Sequence, residues 1–104
     1  MTILNEANII KNGTYQVTEV FSDVVDVGEV VYNPGSRVPA NGFATHEEGK
    51  ELCYIAKGEV VFGTEVGEIV VKEGNFHYLD KAVPHFCRND SDTECHLLYI
   101  LIKS

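Results

Sequence analysis

The segment Gly74-Asn-Phe-His-Tyr-Leu-Asp-Lys-Ala-Val-Pro-His-Phe-Cys-Arg-Asn89 carries most of the information about the fold. It contains two short β-prone runs, 76–79 and 85–88, and the residues around these runs are turn formers. Side chains alternate between the two faces of a strand, so His85 and Cys87 are predicted to share one face. The segment therefore predicts two consecutive β-strands, the second with two reactive side chains on one face.

The rest of the sequence has the same organisation, with glycine and turn residues at short intervals between β-prone runs. Further strands are predicted at residues 15–21, 24–32, 51–56, 60–64, 68–72 and 95–103. The last run is almost wholly apolar, and we expect it to be buried on both faces. Residues 36–50 lack a clean period and are expected to form a long loop, extended near 44–46. The pattern predicts an all-β sandwich or barrel.

Length and charge restrict the class of protein. The 104 residues are expected to form a single domain, 1–104. The net charge of −8 repels phosphate backbones and anionic lipid, which argues against nucleic acid and membrane as partners. No apolar run is long enough to cross a bilayer and the first ten residues lack a signal pattern, so a cytoplasmic protein is expected. Three cysteines without CxxC spacing argue against a disulfide framework and a zinc ribbon.

The run 51–56 contains the first chemical anomaly. Alternation places Glu51, Cys53 and Ile55 on the same face of this strand. A carboxylate beside a cysteine and an isoleucine is predicted to point inward. Burial of a carboxylate is costly unless it is paired or bound to a cation, and this cost indicates a functional site.

Three segments carry a resemblance to a known family. Glu51-Leu-Cys-Tyr-Ile-Ala-Lys-Gly58 resembles the second half of the first cupin motif, and segment 74–89 is similar to the second motif over its whole length. Asn33-Pro-Gly-Ser-Arg-Val-Pro39 looks like the lead-in that cupins place before the first motif. The resemblance implies a double-stranded β-helix, the cupin jelly-roll barrel, with a pocket inside. It also implies a homodimer that pairs through its N-terminal strands.

The resemblance further implies a metal-ligand set of His46, Glu51 and His85. Ala44 occupies the position of a further histidine and cannot ligate. Asp80 and Ala82 also depart from the second motif, in a turn. Two histidines and one carboxylate suit a divalent metal such as iron, manganese, nickel or zinc.

Three functions remain open from the sequence. One is a metal-dependent enzyme of the dioxygenase, decarboxylase, isomerase or lyase type, acting on a small oxygenated molecule, with Glu51 and Tyr78 as catalytic candidates. The alternative is a metal-free or weakly metallated cupin that binds or senses a small molecule. A purely structural role is the third possibility, and the inward carboxylate argues against it. Alternation does not decide whether His77 or Tyr78 faces inward.

The sequence leaves two interpretations open for three further side chains, those of Cys53, Cys87 and Arg37. Cys53 and Cys87 are small buried apolar residues or, alternatively, one of them is a soft metal ligand. Arg37 could receive an anionic substrate at the barrel mouth or be solvated. His96 is expected to be structural.

Overall fold

The computed structural model describes residue 4, the backbone of residues 8–11, and residues 15–104. These residues form ten strands and no helix, so no described helix could cross a membrane. The strands are β1 Asn8–Lys11, β2 Tyr15–Ser22, β3 Val25–Tyr32, β4 Arg37–Val38, β5 Gly49–Lys57, β6 Glu59–Thr64, β7 Gly67–Lys72, β8 Phe76–Leu79, β9 His85–Arg88 and β10 Cys95–Lys103.

The strands form two antiparallel sheets. The six-stranded sheet has the order β1-β2-β3-β10-β5-β8, and the four-stranded sheet has the order β4-β9-β6-β7. The non-consecutive neighbours in both sheets are the crossovers of a double-stranded β-helix. The all-β jelly-roll prediction is therefore confirmed.

Strand register determines which side chains share the interior. Across the six-stranded sheet, Asp26 of β3 lies opposite Leu101 of β10, Leu101 lies opposite Glu51 of β5, and Glu51 lies opposite Leu79 of β8. Two residues further along β5, Cys53 lies opposite Tyr99 of β10 on one side and His77 of β8 on the other. The predicted face shared by Glu51, Cys53 and Ile55 is thus the face that points into the barrel, and Cys53 and Ile55 are fully buried.

The prediction that β10 is buried on both faces is wrong. Leu97 and Leu101 point inward and are buried, whereas Leu98 and Ile100 are 43% and 39% exposed. The strand is central in its sheet, but the outer face of that sheet is uncovered in the single chain, so alternate apolar residues remain in contact with solvent.

The segment 36–50 has more structure than the predicted loop. It contains β4, which pairs with β9, and Ala44 exchanges backbone hydrogen bonds with His85 at 2.8 and 2.9 Å. Its end belongs to β5, which begins at Gly49. A Cβ at Gly49 would collide with the carbonyl oxygen of Ile102, so the close approach of β5 to β10 requires glycine there.

One buried amide holds the end of β9 in place. The Asn89 side chain is fully buried, and its Nδ2 donates to the carbonyl oxygens of Tyr32 at 3.0 Å and Thr93 at 2.9 Å. Its Oδ1 accepts from the backbone N–H of Ser91 at 3.0 Å and from the Ser91 hydroxyl at 2.7 Å. Asn89 thereby joins β3 to the turn between β9 and β10.

Candidate functional site

A cavity of about 320 Å³ lies between the two sheets. Its volume is at the small end of the range for ligand pockets and equals that of roughly ten water molecules. Most of its wall is apolar, and the polar groups are few. The lining residues are Val17, Asp26, Val30, Tyr32, Val38, Ala44, His46, Glu51, Cys53, Phe62, His85, Cys87, Leu97, Tyr99 and Leu101.

His85 is held in one orientation at this cavity. Its side chain is buried, and Nδ1 lies 2.8 Å from the carbonyl oxygen of Val83. A carbonyl can only accept, so Nδ1 carries the proton in this contact, and in the neutral imidazole Nε2 is then the nitrogen with a free lone pair. The neutral form of His85 therefore offers the cavity a fixed acceptor nitrogen.

His46 and Glu51 form the second part of the site. His46 Nε2 lies 3.3 Å from Glu51 Oε2, and the His46 and His85 ring centroids are 4.9 Å apart. The other carboxylate oxygen, Oε1, accepts from the Cys53 thiol at 3.2 Å. The structure thus brings His46, Glu51 and His85 together at one cavity wall.

The chemistry of these three donors fits a divalent cation, but their arrangement does not yet form a coordination site. Two imidazoles and a carboxylate are a common ligand set, and the Nδ1 contact of His85 with Val83 is the usual outer contact of a ligating histidine. Yet no group of three or more His, Cys, Asp or Glu is positioned to hold an ion within the described part of the chain. His46 and Glu51 contact each other instead, and an entering cation would have to separate them.

The two cavity cysteines are packed thiols. Burial raises the pKa of Cys87 to about 12, and burial followed by the charge of Glu51 raises the pKa of Cys53 far above its ordinary value. The pKa of the Tyr32 hydroxyl, which shares a hydrogen bond with Cys87, is also raised by burial. Near pH 7 these groups stay neutral and fill the interior as small hydrophobic and phenolic side chains.

Tyr78 does not belong to the cavity. Its side chain is half-exposed on the outer face of the six-stranded sheet, and its hydroxyl donates to Asp80 Oδ1 at 2.7 Å. Tyr78 pairs with Leu52 of β5, whose side chain also points outward, and this pairing sets the orientation of Tyr78. The predicted catalytic role of Tyr78 therefore lacks structural support. His77 is the residue that turns inward. Its ring stacks on the Phe62 ring, with the two centroids 4.0 Å apart, and its buried Nδ1 has no hydrogen-bond partner among the described residues.

Arg37 also points away from the cavity. Its guanidinium lies 4.1 Å from the centre of the Phe86 ring, and Nη1 donates to the carbonyl oxygen of Pro39 at 2.7 Å. Phe86 is on the outer face of β9, opposite to His85 and Cys87. This position argues against the hypothesis that Arg37 receives an anionic substrate at the cavity.

Sequence reasoning missed three polar cavity residues, Asp26, Tyr32 and Tyr99. Asp26 accepts from Lys103 at 2.8 Å and from Ser22 at 2.6 Å, and the hydrogen bond from Lys103 lowers its pKa. Burial, and then nearby carboxylates, raises the pKa of Tyr99 to about 12. Side chains alternate along the predicted strand 24–32, so Asp26 and Tyr32 share a face with Val30, which is buried. This alternation is the signal that could have identified Asp26 and Tyr32.

Comparison with known proteins addresses the family directly. The sequence pattern described as the cupin domain matches residues 28–101, and no curated protein matches the chain. A predicted oxalate decarboxylase from Thermotoga maritima superposes with a TM-score of 0.83 at 22% identity, over 99% of this chain and 100% of that one.

Two further solved structures are similar in fold. The cupin domain of an XRE-family transcriptional regulator from Enterobacter cloacae gives a TM-score of 0.77 at 18% identity, covering 88% of this chain and 98% of that one. A cupin-superfamily sugar phosphate isomerase from Silicibacter pomeroyi gives a TM-score of 0.75 at 16% identity, covering 88% of this chain and 60% of that one. At these identities the structures establish fold alone, whereas the family pattern spans more than half of the sequence: the chain belongs to the cupin domain family.

Proposed function

We propose that this chain is a small-molecule-binding cupin, whose ligand occupies the interior cavity with its polar group at His46, Glu51 and His85. The observation that carries the proposal is the convergence of these three side chains on an otherwise apolar cavity of about 320 Å³. Such a cavity removes an apolar ligand body from water and uses a few polar groups to fix its orientation.

The wall chemistry favours a ligand that donates hydrogen bonds. Glu51 is a carboxylate acceptor, His85 presents Nε2, and none of the described cavity-lining residues is Lys or Arg. Lys103 reaches this region as the partner of Asp26. Oxalate and sugar phosphates, named for two of the structural neighbours, are anions and would find no fixed cationic side chain here. A neutral or cationic group on an apolar body fits better.

Three probes of equal ring size test this preference on metal-free protein: benzylamine, benzyl alcohol and benzoate. We expect benzylamine to bind most tightly and benzoate to bind not at all, measured by chemical-shift titration of backbone amides. Glu51→Gln should weaken benzylamine binding about tenfold, because a charge-assisted hydrogen bond is lost while the side-chain shape is kept.

Glu29→Gln is the matched control. Glu29 is also a carboxylate near a histidine, His96, at 3.9 Å, but it lies on the outer face of the same sheet. Its substitution should leave all three affinities unchanged. Binding of none of the probes, or equal weakening by both substitutions, would contradict the assignment of the cavity.

The second candidate is a metal-dependent enzyme, and the fixed orientation of the His85 ring, with Nδ1 held by the Val83 carbonyl, favours it. His46, Glu51 and His85 would hold the cation. When bound, a divalent metal would polarise a carbonyl or carboxylate oxygen or activate water. The residues themselves would orient the substrate, and the apolar wall would exclude bulk water.

Ala44→His tests whether the three donors converge on a cation position. Ala44 lines the cavity beside His85, so a histidine there would add the missing fourth donor. We expect the Kd for Zn²⁺ to fall by at least about tenfold, since even outer contacts of metal ligands alter affinity 10–100-fold. Competition with a chromogenic chelator measures the change.

The control is Thr45→His, because Thr45 is the exposed neighbour whose hydroxyl contacts Glu47. It adds the same imidazole on the solvent side. Equal zinc affinity in the two variants would show that His46, Glu51 and His85 do not define a metal position.

A further inference from the structure

The cavity has a second polar end on the same sheet as Glu51. The register runs from Asp26 of β3 through Leu101 of β10 to Glu51 of β5, and all three side chains line the cavity. Adjacent antiparallel strands are about 5 Å apart, so the Asp26 and Glu51 Cα atoms are about 10 Å apart across Leu101. Leu101 is buried and gives this span an apolar floor. The cavity therefore presents two carboxylates separated by a hydrocarbon surface.

Glu19 adds to the negative charge at the second end. Its carboxyl group lies within hydrogen-bonding reach of Asp26, and we term these two residues the second acidic end. Lys103 and Ser22 both contact Oδ1 of Asp26, so one ammonium faces two carboxylates. Carboxylates this close repel each other unless a proton or a cation lies between them. At least one negative charge at this end therefore has no counter-ion among the residues that the structure describes.

Tyr99 connects the two ends of the cavity. A Cβ at Gly28 would collide with the Tyr99 ring and hydroxyl, so the position of this ring across β3 requires glycine there. Burial first, and then the charges of Glu19, Asp26 and Glu51, raise the pKa of Tyr99 to about 12. One hydroxyl therefore lies in the field of carboxylates from both ends, which means that the two ends face one interior space.

His85 gives an independent indication that the cavity holds a ligand. Its side chain is only 8% exposed and lines the cavity, and its Nε2 makes no hydrogen bond to any residue that the structure describes. A buried polar atom without a partner is costly, and an occupant of the cavity would remove that cost. His85 lies beside His46 and Glu51, so this occupant would reach the Glu51 end.

We propose that the cavity binds a short α,ω-diamine in its diammonium form. One ammonium lies at Glu51, the other lies at the second acidic end, and the methylene chain lies over Leu101. With each ammonium about 2.8 Å from a carboxylate oxygen, the two nitrogens are about 6–9 Å apart, the length of a chain of about four to six carbon atoms. The cavity, equal in volume to roughly ten water molecules, accommodates such a ligand. This inference rests on the proposed function and names its ligand class.

Calorimetric titration of the metal-free full chain with 1,5-diaminopentane, 1,3-diaminopropane and pentylamine tests the proposal. We expect 1,5-diaminopentane to bind at least about tenfold more tightly than pentylamine, because it gains a second charge-assisted hydrogen bond. The shorter diamine carries the same charge but cannot span the two ends, so it should bind at least about fivefold more weakly than 1,5-diaminopentane. Equal binding of the two diamines would mean attraction by net charge alone and would overturn the proposal.

Substitutions at the second acidic end should act selectively on the diamine. Asp26→Asn and Glu19→Gln should each weaken 1,5-diaminopentane about tenfold and pentylamine much less. Asp23→Asn is the matched control, because Asp23 is exposed between β2 and β3, and it should change neither affinity. Lys103→Gln removes the competing ammonium and should tighten binding of the diamine, a gain that damage to the fold cannot produce.

The outcomes separate this inference from the proposed function. Equal affinity for pentylamine and 1,5-diaminopentane would overturn the diamine assignment and leave the cavity as a site for a single donor group. A preference for the diamine that survives both Asp26→Asn and Glu19→Gln would also overturn it. Binding of none of these amines, together with no binding of benzylamine, would contradict the proposed function and this inference with it.

Discussion

Asn89→Asp is expected to lower the free energy of unfolding by about 3–5 kcal/mol, although it changes one atom type and no shape. Nδ2 of the native side chain donates to two carbonyl oxygens, those of Tyr32 and Thr93. In the variant, a carboxylate oxygen would face these two carbonyl oxygens, and neither side could donate a hydrogen bond. The buried charge would also be left without a counter-ion. This loss is comparable with the whole stability of a small domain.

Asn75→Asp is the control for this substitution. Asn75 is exposed, and its Oδ1 accepts from the backbone N–H of Lys72 at 3.2 Å, a contact that a carboxylate keeps. We expect a change below about 0.5 kcal/mol, as is usual for surface positions. Urea unfolding at pH 7 measures both variants, and a similar small effect at Asn89 would mean that its four hydrogen bonds do not anchor β9.

Much of this fold and part of the site could be predicted from period-two alternation and turn residues. Alternation gave the shared inward face of Glu51 and Cys53 and that of His85 and Cys87, because both strands contain clear apolar markers. These two pairs lie on different sheets, and only the closure of the barrel brings them to one cavity. The family resemblance supplied that closure in advance.

The errors have identifiable physical causes. The run 76–79 is only four residues long, so its phase is fixed by pairing with β5 and not by its own sequence; this pairing turns His77 inward and Tyr78 outward. The apolar residues of β10 indicated two buried faces, but local sequence cannot state whether the outer face is covered within the chain or by another molecule. The backbone pairing of Ala44 with His85 spans 41 positions and leaves no local pattern.

The folded chain is expected to lose stability steeply above about pH 9. Burial raises the pKa of the Cys53 and Cys87 thiols and of the Tyr32 hydroxyl above the ordinary values of 9.0 and 10.0. The native state therefore keeps protons that the unfolded chain releases. Stability is full below the unfolded pKa of these groups and falls as the pH rises toward their folded pKa.

The size of the effect follows from the number of buried acids. Each thiol held neutral costs about 1.4 kcal/mol per pH unit above pH 9, so Cys53 and Cys87 together remove about 5.5 kcal/mol by pH 11. Urea unfolding of EDTA-treated protein between pH 7 and 11 measures this slope.

Cys87→Ala separates linkage from general alkaline damage. The variant loses some packing at every pH, but its slope should be shallower than that of the wild type by about 1.4 kcal/mol per pH unit from pH 9 to 11. An unchanged slope would mean that the Cys87 thiol ionises as freely in the folded chain as in the unfolded one. The cavity would then be wetter at Cys87 than the buried position of that side chain indicates, and the idea that its wall removes an apolar ligand body from water would have to be abandoned.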